Sequence, residues 1–188
     1  MGYDRCFLPA VDELRRRVEA GDLGRILHAE GNFCVNRYAD MKPGNWKSDA
    51  SQIPPGGMAD HMLYTMIELM GPVAEVAVQG LRQVIELDIA DTTSVMLRFA
   101  GGASGLLTAI GVTPDFNRLH LFGSHGWAEI RGNTHFEFKP QDGDGVVTDY
   151  PKFDALKCEL ESFAAAAGGE AAWPVSPADA VHGVPLII

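Results

Sequence analysis

The side chain best suited to chemistry in this sequence lies in the segment 54–72, which reads PPGGMADHMLYTMIELMGP. Two prolines and two glycines predict a tight loop, because proline fixes a backbone dihedral and glycine adopts conformations that other residues avoid. We then predict a helix that is capped by Asp60, runs to about Met70 and ends at Gly71. His61 falls in the first turn of this helix, where an ionisable imidazole can bind substrate or transfer a proton.

The same spacing also has a purely structural interpretation. His61 shares one helix face with Tyr64, Thr65 and Glu68, since residues three and four apart lie on the same side. The remaining positions are apolar and are predicted to be buried, namely Met62, Leu63, Met66, Ile67, Leu69 and Met70. A histidine at the start of a helix is often a cap, a surface residue or a packed side chain, so spacing alone leaves both interpretations open.

The composition limits the class of protein. A chain of 188 residues with 46% hydrophobic residues fits a single domain, residues 1–188, with a sizeable core. The formal net charge of −10 argues against nucleic acid or an anionic membrane as partners. No segment approaches the roughly 20 apolar residues that span a bilayer. The three cysteines lie far apart, which favours reduced thiols and a cytoplasmic protein.

The rest of the sequence alternates between helical and strand periodicity. An N-terminal helix is predicted from Val11, Leu14 and Val18, with Gly21 after its end, and a strand follows over residues 25–35. Further strands are predicted at residues 73–81, 92–99, 103–110, 118–122, 127–131 and 135–138. Short turns between consecutive strands predict an α+β fold, with a largely antiparallel open sheet and helices on one face. The other face would stay bare in a monomer, so we expect a homodimer or higher homo-oligomer to cover it.

Three further segments complete this prediction. The polar segment 36–52 is predicted to be a loop, which can be a binding or lid element or equally a surface Ω-loop. Residues 140–149 are rich in aspartate and glycine and are also predicted to be a loop. A helix over 153–167 carries an apolar stripe that we expect to be buried, formed by Phe153, Leu156, Leu160, Phe163 and Ala167. A last helix is predicted from Ser176 and Pro177.

Several common site patterns are absent from the sequence. No G-x-G-x-x-G fingerprint, phosphate loop or G-x-S-x-G elbow occurs, so we expect this chain alone to bind no nucleotide cofactor. His120, His125 and His135 are clustered, but their spacing matches no metal motif. A metal-dependent enzyme is therefore disfavoured.

The order of these features resembles the C-terminal domain of the glucose-fructose oxidoreductase, inositol dehydrogenase and MocA-like family. The matching pieces cover nearly the whole chain: residues 5–9, 21–26, 46–47, 56–57, 61–64, 69–72, 91–102, 117–126 and 159–163. Each piece is short, and their order makes the resemblance specific.

The resemblance implies a two-domain NAD(P)-dependent dehydrogenase that acts on a sugar, an inositol or a related polyol. In that family an N-terminal Rossmann domain holds NAD or NADP, and the C-terminal domain supplies substrate contacts and the oligomer interface. The histidine that handles the alcohol proton corresponds to His61. The resemblance makes five further residues candidates for substrate contact: Tyr64, Trp46, Lys47, Asn117 and Arg118.

Two positions depart from the family pattern. Asp60 directly precedes His61, where the family has Asp-X-Gly-X-His, and Tyr64 stands where the family commonly has an aspartate. One hypothesis is therefore a substrate-binding and oligomerisation domain, truncated at both ends and inactive without a Rossmann domain. The alternative is a free-standing, non-enzymatic binding or scaffold protein derived from that domain.

Overall fold

The computed structural model of the chain describes residues 3–45 and 59–183. Its helices are a 3-10 helix at Asp4–Phe7 and the α-helices α1 (Pro9–Glu19), α2 (Asp60–Met70), α3 (Ala155–Ala167) and α4 (Pro177–Gly183). Its strands are β1 (Ile26–Asn36), β2 (Val73–Leu81), β3 (Thr92–Phe99), β4 (Ser104–Ile110), β5 (Val112–Gly123), β6 (Gly126–Arg131), β7 (His135–Pro140) and β8 (Val146–Asp149). No helix in these ranges is long and apolar enough to cross a membrane.

The strands form one open sheet in the order β2-β3-β4-β1-β5-β6-β7-β8. β1 runs parallel to β4, and every other neighbouring pair is antiparallel. Short turns join most consecutive strands, whereas β1 reaches its parallel neighbour only after α2, β2 and β3 have intervened. The predicted α+β fold with a largely antiparallel open sheet is confirmed.

The helices lie on one face of this sheet. Along β3, Val95, Leu97 and Phe99 are buried against the core, whereas Met96 and Arg98 are exposed on the opposite face. This alternation follows from the period of two in a strand. Helix α2 packs on β1, and α1 packs on β6 and β7, so the apolar core lies between the helices and a single sheet face.

Helix α2 approaches the sheet closely because two strands carry glycine beneath it. A Cβ atom at Gly31 of β1 would lie 2.8 Å from Met62 Cγ, and one at Gly105 of β4 would lie 3.2 Å from Met66 Cε. Side chains at these positions would force the helix or its methionines outwards. The missing Cβ atoms therefore set the distance between helix and sheet.

The bounds predicted for β2 and β3 agree residue for residue with the structure, and α2 ends at Met70 as predicted. The predicted cap is wrong: Asp60 is the first helical residue, the N-cap is Ala59, and no side chain caps the helix. Tyr64 and Thr65, predicted on the polar stripe, are buried at 2% and 1% exposure.

Two predictions near the C-terminus are also wrong. The expected loop at 140–149 contains β8, which pairs with β7 because Val146 and Val147 supply two β-branched residues at the sheet edge. The stripe predicted to be buried on α3 is exposed, with Leu156 at 57%, Leu160 at 59% and Phe163 at 58%. Periodicity predicts that a helix has an apolar face, but it does not specify which element covers that face.

Candidate functional site

His61 is the second residue of α2 and borders a cavity of about 440 Å³. The walls of this cavity come from five elements, with Asp4 and Arg5 of the 3-10 helix, Phe33 of β1, Asn117 of β5 and Leu156 of α3 among the lining residues. Phe33 and Asn117 are cross-strand partners in the β1–β5 ladder. The packing of α2 on β1 therefore brings the first turn of the helix over this pair.

The imidazole of His61 is held by aromatic rings and flanked by carboxylates. The Phe33 ring lies nearly parallel to it at a centroid distance of 6.0 Å, and the Tyr3 ring meets it edge-on at 5.9 Å. Asp4 Oδ1 is 3.6 Å from Nδ1, and Asp60 Oδ1 is 4.0 Å from Nε2. The two rings hold the imidazole in place. The His61 side chain is still 40% exposed, so it remains accessible to a ligand.

Asp60 is the buried acid of this site. Its Oδ1 atom has no hydrogen-bond partner in the described part of the chain, and the residue is only 9% exposed. Burial raises the pKa of the Asp60 carboxyl, and the neighbouring His61 opposes this shift. An acid with a raised pKa beside a histidine is an arrangement suited to proton exchange.

The far wall of the cavity offers amides. Asn117 Oδ1 is buried without a hydrogen-bond partner. The buried Arg5 guanidinium donates from Nη1 to Asn133 Oδ1 at 2.9 Å and from Nη2 to the Gly132 carbonyl at 3.2 Å. Amide groups placed around an ionisable residue suit a ligand rich in hydroxyl groups.

The residues predicted from the sequence as site candidates do not all lie in the same cavity. His61 and Asn117 line the same cavity. Arg118 is the next residue of β5 and therefore lies on the opposite sheet face, where it pairs with Glu30 and, at 3.8 Å, with Glu129. Trp46 and Lys47 lie outside the described residues.

Tyr64 lies behind the cavity rather than in its lining. Its ring stacks on Tyr3 at 4.1 Å with an interplanar angle of 11°, and its hydroxyl accepts a hydrogen bond from the Ser176 amide at 3.1 Å. Burial raises the pKa of Tyr64 to about 12, so its phenol stays neutral. Its substrate contact remains a prediction, and its observed role is to hold Tyr3.

Sequence reasoning missed Asp4, Phe33 and Asn133 as site residues. Asp4 and His61 are separated by more than fifty positions along the chain, and no local pattern links them. The pairing of Phe33 with Asn117 depends on the β1–β5 register, which no sequence signal specified.

Other parts of the described chain are less suited to chemistry. No group of three or more His, Cys, Asp or Glu side chains in residues 3–45 and 59–183 could hold a metal ion. A larger cavity of about 630 Å³ contains Cys6, Arg15 and Glu68. There Arg15 and Glu68 pair at 2.7 Å, and burial raises the pKa of the Cys6 thiol so that it stays protonated.

The family model for the GFO/IDH/MocA C-terminal domain matches residues 11–129 of the chain. The chain belongs to this family. The resemblance inferred from the order of short motifs is therefore confirmed, and the cavity at His61 lies in a GFO/IDH/MocA C-terminal domain.

Several known proteins that resemble this domain are oxidoreductases. The chain is 25% identical over 131 residues to trans-1,2-dihydrobenzene-1,2-diol dehydrogenase of Oryctolagus cuniculus, a match that covers 68% of this chain and 38% of that enzyme. Levoglucosan dehydrogenase in complex with NADH and L-sorbose superposes with a TM-score of 0.83 at 18% identity, over 97% of this chain and 60% of that one. An NAD-binding oxidoreductase from Klebsiella pneumoniae gives a TM-score of 0.83 at 14% identity, over 98% and 61%. The two structures share the fold, and the chain spans less than two thirds of the length of each of these relatives.

We expect replacement of Asp60 by Asn to stabilise the protein at neutral pH. Because burial raises the pKa of this carboxyl, the folded protein holds the proton more tightly than the unfolded chain does. The burial of the charged Asp60 carboxylate therefore lowers the free energy of unfolding by its full amount above the pKa of the folded state. This destabilisation disappears as the pH falls to the pKa of the unfolded chain, near 3.8. Urea denaturation should give Asp60→Asn the higher free energy of unfolding at about pH 7, with a difference that narrows towards about pH 4.

Asp142→Asn is the matched control for this experiment, because it removes one carboxylate from an exposed turn. A gain of equal size in both variants would contradict a burial penalty at Asp60. A gain for Asp60→Asn that does not change with pH would contradict it as well.

Proposed function

We propose that this chain is the substrate-binding domain of an NAD(P)-dependent oxidoreductase that acts on a sugar, an inositol or a related polyol. The observation that carries the proposal is the cavity at His61, where an accessible imidazole lies between two carboxylates and shares the lining with Asn117, whose amide oxygen has no partner among the described residues. The names of the relatives support the substrate class, since one acts on a cyclic dihydrodiol and another was solved with NADH and a sugar.

The described residues do not fit the dinucleotide itself. The side chains of Asp4, Asp115 and Glu159 line the cavity, and three carboxylates would repel a pyrophosphate group. Two arginines also line the cavity: Arg5 already donates to Asn133 and Gly132, and Arg37 is a single exposed cation against three carboxylates. We therefore assign substrate binding and proton transfer to this chain, and place the hydride acceptor outside it.

His61 acts in this proposal as the general base for the substrate hydroxyl. The neutral imidazole accepts the hydroxyl proton as the carbinol carbon is oxidised, and it becomes an imidazolium ion. A carboxylate about 4 Å away stabilises that ion by roughly 1 to 4 kcal/mol, depending on the local dielectric. Asp4 is 43% exposed, so its contribution lies near the lower limit. Asn117 accepts a hydrogen bond from a neighbouring hydroxyl and fixes the ring of the substrate.

The free-standing binding protein remains the alternative. Two observations favour it: Tyr64 is buried in an aromatic stack, and His61 Nδ1 has no hydrogen-bond partner among the described residues. In that case the cavity binds a polyol without oxidation, and His61 contributes nothing beyond its packing against Phe33.

Ligand binding to the purified chain tests this proposal. Saturation-transfer NMR should detect cyclic polyols or anhydro sugars such as inositol and levoglucosan. We expect His61→Ala to weaken this binding at least about tenfold, or about 1.4 kcal/mol, whereas His125→Ala in an exposed turn leaves it unchanged. Calorimetry with NADH or NADPH should show no micromolar binding to the chain alone.

Two outcomes would count against the proposal in different ways. Micromolar binding of either dinucleotide by the chain alone would overturn the assignment of the hydride acceptor to another domain. Polyol binding that His61→Ala leaves unaltered would support the binding-protein alternative.

We further propose that a second copy of the chain covers the open face of the sheet. Met96, Leu106 and Phe116 are 63%, 44% and 45% exposed there, which is unusual for large apolar side chains on a free surface. Between them lies a charged cluster in which Arg118 pairs with Glu30 and Glu129, and Glu129 is only 5% exposed. An apolar surface around paired charges resembles a subunit interface in composition.

Replacement of Met96 by Glu should therefore yield monomers in light scattering, where the unmodified chain gives a dimer or larger oligomer. The new carboxylate would be buried without a partner, which costs several kcal/mol. Val84→Glu is the control, because Val84 is 71% exposed in the connection between β2 and β3, away from the proposed interface. A monomeric unmodified chain, or an oligomer that Met96→Glu does not disturb, would contradict this interface.

A further inference from the structure

The backbone at Tyr3 is held in a strained conformation at the edge of the His61 cavity. Within residues 3–45 and 59–183, Tyr3 is the only non-glycine residue with positive φ, at φ 55° and ψ 56°. A bulky residue rarely adopts this left-handed conformation, and such strain persists only where the surroundings enforce it. Here the ring is 3% exposed and stacks on Tyr64 of α2.

The left-handed residue Tyr3 precedes the 3-10 helix and places the Asp4 side chain next to His61. Tyr3, which precedes Asp4, is fixed by its stack on Tyr64. Arg5, which follows it, is fixed by two hydrogen bonds to the β6–β7 turn. Asp4 is thus anchored on both sides, and its Oδ1 atom lies 3.6 Å from His61 Nδ1.

The two nitrogens of His61 have different surroundings. Nδ1 is buried and has no hydrogen-bond partner within residues 3–45 and 59–183, so the accessible part of the ring carries Nε2. Within residues 3–45 and 59–183, the groups that face the imidazole are Asp4, Asp60 and the rings of Tyr3 and Phe33. Asp4 is the carboxylate next to Nδ1, and Asp60 lies on the Nε2 side.

We infer that Asp4 is the positioning residue of His61: its carboxylate accepts the Nδ1–H bond and leaves the Nε2 lone pair free for a ligand in the cavity. This inference rests on the proposed function, in which His61 takes a hydroxyl proton. A base needs an unprotonated nitrogen that faces its substrate, and the partner of the other nitrogen determines the tautomer. Closing 3.6 Å to hydrogen-bond length needs only a small rotation of Asp4, whose side chain is 43% exposed. Such bonds are often long before a ligand binds.

The inference also gives the buried Tyr64 an indirect role at the site. By stacking on Tyr3, Tyr64 maintains the left-handed turn and therefore the place of Asp4. Tyr64 acts on His61 through two intermediaries, and it needs neither charge nor contact with substrate.

The tautomer of His61 is the direct test, measured by long-range ¹H–¹⁵N correlation on the full, ¹⁵N-labelled chain at a pH where the ring is neutral. We expect Nδ1–H to be the major form in the unmodified chain. In Asp4→Ala the Nδ1–H tautomer should become the minor form, and in Asp4→Glu it should again be the major form. Tyr64→Leu keeps Asp4 but removes the stack on Tyr3, so it should lower the fraction of the Nδ1–H tautomer. Asp12→Ala is the control, because it removes a carboxylate that is 78% exposed on α1. Unchanged backbone amide shifts in α2 verify that each variant is folded.

An Nε2–H major form in the unmodified chain would overturn the inference, as would a tautomer that Asp4→Ala does not change. Polyol binding separates this result from the proposed function. If Asp4→Ala changes the tautomer but no polyol binds to any variant, the positioning role stands and the proposed function fails.

Discussion

The close contact between α2 and the sheet is the constraint on which the candidate site depends. The helix lies directly over β1 and β4 because Gly31 and Gly105 leave room for the methionines at 62 and 66. That contact fixes the first turn of the helix against the end of β1. The β1–β5 register then places Phe33 beside Asn117, so the imidazole of His61 lies parallel to an aromatic ring in a cavity that an amide also lines.

The energetics of this contact explain how a buried acid is tolerated in the same helix. Met62, Leu63, Met66 and Ile67 are each at most 1% exposed. Burial of each such side chain contributes about 1.5–3 kcal/mol, whereas one unpaired buried polar group costs about 1–3 kcal/mol or more if charged. Apolar burial therefore exceeds the penalty at Asp60. The helix can carry a carboxyl with one unpaired oxygen next to His61 and stay docked.

The sequence predicted the elements well because their signals are local. The β-branched runs of β2 and β3 identified these strands with their observed bounds. The apolar spacing of α2 and its Gly-Pro end identified the helix and the residue at which it ends. The buried stripe on α3 was wrong because periodicity does not identify a covering partner. The edge strand β8 was missed because aspartate and glycine around it favour a turn.

The candidate site was only half predictable for the same reason. His61 and Asn117 could be proposed from the motifs in which they lie, and they share one cavity. Arg118 stands one position further along β5, and the alternation of a strand sends it to the opposite face. Asp4 comes near His61 only through a strained turn at Tyr3 and an aromatic stack on Tyr64. Tertiary contacts of this kind join residues that are far apart along the chain, so no local sequence pattern predicts them.

Native-state hydrogen exchange of the α2 backbone tests most directly whether this helix is an integral part of the sheet domain. If the glycine-lined contact fixes the helix, the amides of Met66 and Ile67 should exchange only through global unfolding, with the same free energy as the slowest amides of β1 and β5. If the α2 amides exchange through a local opening of lower free energy while β1 and β5 stay protected, the glycine-lined contact does not fix the helix. His61 would then belong to a mobile helix, and the geometry of its cavity would not persist.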